Sequence, residues 1–118
     1  MISQFVDFTA DFKAGAGNLN IDVTGWDWVT VQIVSPSSAV AFKTTNDDGS
    51  ISGSISGNAK AATNWITCQG IDLSSGSGVT TTATSTINVR FPVIGRFLQL
   101  SSSGATATKV LVYYSKIH

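Results

Sequence analysis

Residues 44–57, TTNDDGSISGSISG, hold the side chains best placed to do chemistry: Asn46, Asp47 and Asp48 in a row, then GSISG used twice around a shared glycine. Carboxylates and amides can ligate calcium. A helix-loop-helix calcium loop, however, spaces its ligands at alternate positions, adds a glycine and closes with a glutamate. Here the three ligand types are consecutive and the chain contains no glutamate. Asp48-Gly49 between two strand-like runs is a strong turn signal, because glycine takes positive φ at no steric cost. Asn46, Asp47, Asp48 and Gly49 are therefore read as a turn in preference to a cation site.

Other reactive constellations fail on composition. A serine nucleophile elbow needs serine at its centre, and both GSISG copies place isoleucine there, Ile51 and Ile55. The single histidine is His118, expected to fray at the chain end, so no base stands ready for a serine or cysteine nucleophile. Cys68 is alone, which excludes an internal disulfide and a cysteine zinc site; a small buried thiol is expected. No two aspartates sit in a context that would raise a pKa for glycoside chemistry. The phosphate-cradling patterns G-x-x-x-x-G-K and G-x-G-x-x-G are missing. The expectation is a non-enzymatic protein with no catalytic residue, cofactor or metal. Trp26, Trp28 and Trp65, with Tyr113 and Tyr114, suit a sugar-stacking platform, but core or interface packing is favoured. Arg90 and Arg96 suit a partner's carboxylates, against a reading as solvated surface.

The elements that position these residues follow from composition and period. The chain has 118 residues, enough for one domain, 1–118. Serine and threonine supply 30 residues and every acidic residue is aspartate, while valine, isoleucine and aromatics fill the apolar positions. That is strand composition. Seven basic and seven acidic residues give zero net charge, and the basic ones form no run, so there is no electrostatic reason to bind nucleic acid or an anionic membrane. The segment MISQFVDFTADF lacks a basic start, no apolar run approaches the length of a membrane span, and there is no N-x-S/T acceptor, so a chain that is not secreted is expected.

Alternation with period two dominates. Val6, Phe8, Ala10 and Phe12 predict a strand over 6–13; Leu19, Ile21 and Val23 predict its hairpin partner, giving an N-terminal hairpin over about 5–24. Phe5, Phe8 and Phe12 also fit a helical stripe, but alternation accounts for more positions. Further inward rows are Val29, Val31 and Ile33; Val40 and Phe42; Ile66 and Cys68; Ile87, Val89, Phe91 and Val93; Leu98 and Leu100; Val110, Val112 and Tyr114. Residues 71–78 read as a turn region, 79–84 as a polar edge strand, and 58–63 as at most one helical turn. Pro92 removes a ladder donor, which predicts an edge or bulged strand. About eight or nine short strands at roughly ten-residue spacing predict a single all-β antiparallel sandwich, jelly-roll or immunoglobulin-like.

The order VTVQI, a TNDDG turn, a Gly/Ser loop, NWITCQG, GRFLQLSSSG and VLVYYS resembles small β-sandwich virion proteins of tailed bacteriophages, over roughly residues 28–116. In that group a Ser/Thr-Asn-Asp-Gly turn and a Gly-Arg-aromatic-Leu strand recur in the same order. The doubled aspartate and the short GSISG repeat are departures from the pattern. The resemblance implies a structural role without catalytic residues: a capsid decoration or cement protein on the head lattice, made in the host cytoplasm and assembled into the virion. Tail, fibre or connector accessory proteins are the alternative within that class, and a carbohydrate-binding adhesin module the alternative outside it. The implied partners are the chain itself, as a homotrimer by analogy with decoration proteins, and the major capsid protein. Candidate contact residues are Ile2, Phe5, Phe8 and Phe12, with Trp26 and Arg96: a core can absorb one face of the first strand, Val6, Phe8, Ala10 and Phe12, which leaves Phe5 pointing the other way and Ile2 free beside an early strand.

The turn reading predicts that changing Asp47 and Asp48 to asparagine leaves the melting temperature equally indifferent to calcium. A shift of several degrees with calcium in the parent, lost in the variant, would overturn it.

Overall fold

Parity along the strands builds two sheets. A computed structural model describes residues 2–46, 64–82, 84–92, 95–104 and 108–117. In chain order its elements are β1 (Ile2–Asp7), α1 (Thr9–Ala14), β2 (Asn18–Asp22), β3 (Trp28–Val34), β4 (Val40–Thr45), β5 (Ile66–Thr67), β6 (Gly70–Asp72), β7 (Gly78–Val79), β8 (Ile87–Pro92), β9 (Phe97–Ser102) and β10 (Lys109–Lys116). On β3, Val29, Val31 and Ile33 are buried while Trp28 and Gln32 face solvent; on β10, Val110, Val112 and Tyr114 are buried while Lys109 and Tyr113 face out. These are the inward rows that alternation predicts.

One sheet runs β1-β10-β3-β8-β6-β7 and the other β2-β9-β4-β5, and every pairing is antiparallel. The ladders are nested: β1 pairs β10, β2 pairs β9, β3 pairs β8 and β4 pairs β5. Successive rungs alternate between the two sheets, as in a doubled ribbon rolled around a core. That is the jelly-roll order rather than the immunoglobulin-like one, with the β6–β7 hairpin added at one margin. The core lies between the layers, where Phe42 of one sheet meets Phe91 of the other edge-on, 5.0 Å between ring centroids.

The N-terminal hairpin does not form. Residues 9–14 are a helix, and β1 and β2 belong to different sheets. Phe8 and Phe12 lie four residues apart, a spacing that puts both on one face of a strand or of a helix alike. Local chemistry and topology choose the helix. Asp7 Oδ1 accepts the Thr9 N–H at 2.9 Å and turns the chain, and the Phe12 N–H donates to the Phe8 carbonyl. The corner carries the chain from the first sheet to the second, and both rings enter the core, 1% and 0% exposed. Ala10, expected to face inward on a strand, is exposed.

Three smaller expectations also change. Ile66 does not share the inward side with Cys68 but is 64% exposed on the two-residue edge strand β5. Residues 71–78 hold parts of the β6–β7 hairpin as well as its turn. Strand β8 is interior, between β3 and β6, and tolerates Pro92 because that residue ends the strand beyond the last position paired with β6. In the threonine-rich stretch, Thr82 is buried and its Oγ1 accepts the Val40 N–H at 3.0 Å, closing the open side of β4. Val93 and residues 58–63 lie outside the described residues.

Phe12→Ala removes the ring that anchors the corner and is expected to cost about 3–5 kcal/mol in urea unfolding. Lys13→Ala, on the exposed side of the same helix, is expected to change stability by less than about 0.5 kcal/mol. Equal effects would mean that the corner is not held by Phe12.

Candidate functional site

The two outer faces differ in chemistry. On the four-stranded sheet polar outward residues of β2 and β9 are tied to one another. Gln99 Nε2 donates to Asn20 Oδ1 at 2.9 Å, and Ser101 Oγ donates to Asn18 Oδ1 at 3.0 Å. On the six-stranded sheet the register places Phe5, Tyr113, Thr30, Arg90 and Ile71 in one row across five strands. Phe5 is 60% exposed and Tyr113 45%. Trp28, in the next row, carries the Arg90 guanidinium 3.9 Å above its ring. Phe5, Tyr113 and Leu111 rim a shallow depression of about 160 Å³ above Thr30, Gln32 and Asn88.

This face ends at β1, whose other side pairs with no strand among the described residues. Ile2 and Gln4 are exposed although they share the parity of Val6, which packs against the core; Ile2 is 50% exposed. Strand β1 thus shows apolar groups on both of its faces.

The candidate contact residues separate. Ile2 and Phe5 stand at the open edge. Phe8 and Phe12 belong to the core and cannot meet a partner, because the helical corner turns both rings inward. Trp26 is half-buried, its ring 5.2 Å from that of Tyr114. Arg96 lies just before β9, in the other sheet, where its N–H meets the Thr45 carbonyl and Asn46 Oδ1. Asn46 therefore tethers the end of β4 to the residue before β9; Asp47, Asp48 and Gly49 of the expected turn lie outside the described residues. Arg90, weighed for a partner's carboxylates, and Tyr113, weighed for stacking or interface packing, lie on this surface, and Leu111 and Ile71 join it without having been singled out. The signal for Tyr113 and Leu111 was present, since both are large apolar residues at the outward parity of β10.

The titratable groups that depart from ordinary behaviour have local causes. The Thr9 side chain and backbone N–H, bonded to Asp7, hold its carboxyl below the usual range; the Ser74 backbone and side chain do the same for Asp72. Both shifts favour the carboxylate and work against a role as general acid. Burial pushes the Cys68 thiol up to about 11, which disfavours the thiolate a nucleophile needs. Cys68 borders a cavity of about 20 Å³ with Val23, Val29, Phe91 and Leu98, room for roughly one water. Tyr114 is raised as well, first by burial and then by the charge of Asp22, and its hydroxyl is buried without a hydrogen-bond partner among the described residues. Among the described residues no three His, Cys, Asp or Glu side chains gather as metal ligands, and no helix is long and apolar enough to cross a membrane.

The chain is similar in fold to a crystallised protein, the SPBc2 prophage-derived protein YomS. The TM-score is 0.65 at 11% sequence identity, over 96% of this chain and 91% of that one. No protein-family model matches the sequence, and no curated protein matches it either.

Cys68 sets an alkaline limit. Its pKa is raised in the folded state, so as pH climbs past about 9 the unfolded chain gives up the thiol proton first. Stability is expected to be intact below that pH and to fall between about 9 and 11, by on the order of 2 kcal/mol. Cys68→Ala should flatten that part of a urea-midpoint against pH profile; an unchanged profile would assign the loss to other groups such as Tyr114.

Proposed function

We propose that this chain is a non-enzymatic structural protein of a bacteriophage particle, a capsid decoration or cement protein that docks on the head lattice through the outer face of its six-stranded sheet. The observation that carries this reading is the asymmetry of the two outer faces. One carries polar residues of β2 and β9 bonded to one another; the other presents Phe5, Tyr113, Trp28 and Ile71 to solvent beside an open strand edge. Several large exposed apolar residues on one face favour protein contact over solvation. Thr30, Gln32, Asn88 and Arg90 intersperse polar groups among these rings, the mixture of apolar and polar area found in an ordinary interface. The fold likeness to a prophage-derived protein supports a phage origin, and the sequence resemblance supports a virion role. Trp28 lies under Arg90 and Trp26 packs on Tyr114, so these two rings do not form the open coplanar pair that a glycan platform requires. The lattice reading is therefore preferred to the adhesin reading.

The test is co-sedimentation of the purified chain with empty capsids built from the capsid protein encoded alongside it. Phe5→Asp combined with Tyr113→Asp is expected to weaken binding at least about tenfold, since burying either charge costs more than the roughly 1.4 kcal/mol that factor represents. Asn20→Ala with Gln99→Ala, on the polar face, should leave it unchanged. Undiminished binding by the first variant, or saturable binding on a glycan array by the parent, would reject the reading.

A further inference from the structure

Strand β1 has the properties of a self-pairing edge. The Phe8 N–H donates to the Val110 carbonyl at 2.9 Å, which fixes the phase of the β1–β10 ladder. In an antiparallel ladder hydrogen-bonding direction alternates, so the backbone groups of Ser3, Phe5 and Asp7 point away from β10, towards the open side. Natural edges are guarded by shortness, lysine, proline or a bulge. Strands β5 and β7, at two other margins, have two residues each, and β2, at the last, has its apolar residues buried and Asn18, Asn20 and Asp22 outward. The six residues of β1, ISQFVD, contain no lysine, arginine or proline and pair with β10 without a bulge.

We infer that β1 pairs antiparallel with β1 of a second copy of this chain, about a two-fold axis through Gln4. Parity allows only registers that keep like faces together. The axis at Gln4 sets Ile2 opposite Val6 twice, on the inward side, in non-hydrogen-bonded positions where side chains come closest. It sets Ser3 opposite Phe5, so the outward backbone groups bond and the two Phe5 rings become diagonal neighbours. The two Asp7 carboxylates fall at opposite ends of the ribbon. An axis at Phe5 would instead place Ile2 opposite Phe8, which is buried at the helical corner. The Gln4 register covers the exposed apolar groups of β1 on both faces and joins two six-stranded sheets into one. A two-fold contact of this kind is isologous and closed; the trimer implied by the sequence resemblance would need a different surface. The pairing does not depend on the lattice reading, because it concerns the chain alone.

The experiment uses the purified chain without capsids. Light scattering is expected to give the mass of a dimer, and Phe5→Lys to raise the dissociation constant at least about tenfold through the two diagonal charges. Gln4→Cys places two thiols on the axis, with Cα atoms about 4.5 Å apart, within disulfide range. Mild oxidation should trap a covalent dimer. Phe5→Cys places them about 7–8 Å apart and should not. Cys68, being buried, does not compete. Circular dichroism of each variant establishes that it is folded. A monomeric mass, a trimer without the Gln4→Cys cross-link, or trapping by Phe5→Cys in place of Gln4→Cys would overturn the pairing. Protection of the β1 amides that arises only when capsid protein is added would overturn it too.

Discussion

The ladder between β3 and β10 holds the larger sheet in place. Strand β10 seats β1 on its other side, and β3 seats β8, so a slip of one residue at their junction would propagate to both neighbours. Such a slip would turn Val110, Val112 and Tyr114 to solvent and drive Leu111 and Tyr113 into the core. Burial of the three inward side chains, each worth about 1.5–3 kcal/mol, makes that register costly to leave. The parity that buries the core therefore also decides which residues reach the outer face. The apolar row of Phe5 and Tyr113 and the packed row of Val6, Val112, Val31 and Val89 are opposite sides of one ladder set.

Much of this was legible in the sequence where a strand has one wet face and one dry one. The rows of β2, β3, β8 and β10 follow from alternation, and the buried Cys68 follows from a lone thiol in an apolar strand. The corner at residues 9–14 was not legible, because a four-residue spacing of phenylalanines satisfies two periods. What settles it is the need to cross between sheets, which depends on where β9 and β10 lie far along the chain. Phe8 and Phe12, counted among the contact candidates for their place in the aromatic-rich N-terminal segment, are core on either reading. Ile2 and Phe5 could be picked out because they precede the first inward position that the core can cover. Arg96 could not be placed, since its partners, Thr45 and Asn46, arrive through tertiary pairing.

The division of labour between the layers is physical as well as topological. Side-chain amides and hydroxyls bonded to one another, as Asn20 with Gln99 and Asn18 with Ser101, gain little from a partner that must first displace those bonds. Exposed aromatic rings gain from almost any dry contact. A scaffold that concentrates the first kind on one face and the second on the other is oriented before it meets anything, and an orienting surface needs no deep pocket. The depression bordered by Phe5 and Tyr113 is smaller than an ordinary small-molecule site.

The nesting of the ladders also governs time. Strand β4 meets β5 nearby in the chain, but β3 with β8, β2 with β9 and β1 with β10 join residues ever farther apart. Closing each wider loop costs chain entropy before its contacts repay it, so the topology belongs to the class that folds on the order of milliseconds to seconds. The loop closed by β1 and β10 is the widest, and its closure gains most once the inner rungs have shortened the free chain. During synthesis β10 emerges last, so β1 waits for its partner longer than any other strand. Until β10 is made, the apolar groups of β1 stand unpaired, so the edge that is open in the finished fold is for that interval open on both sides.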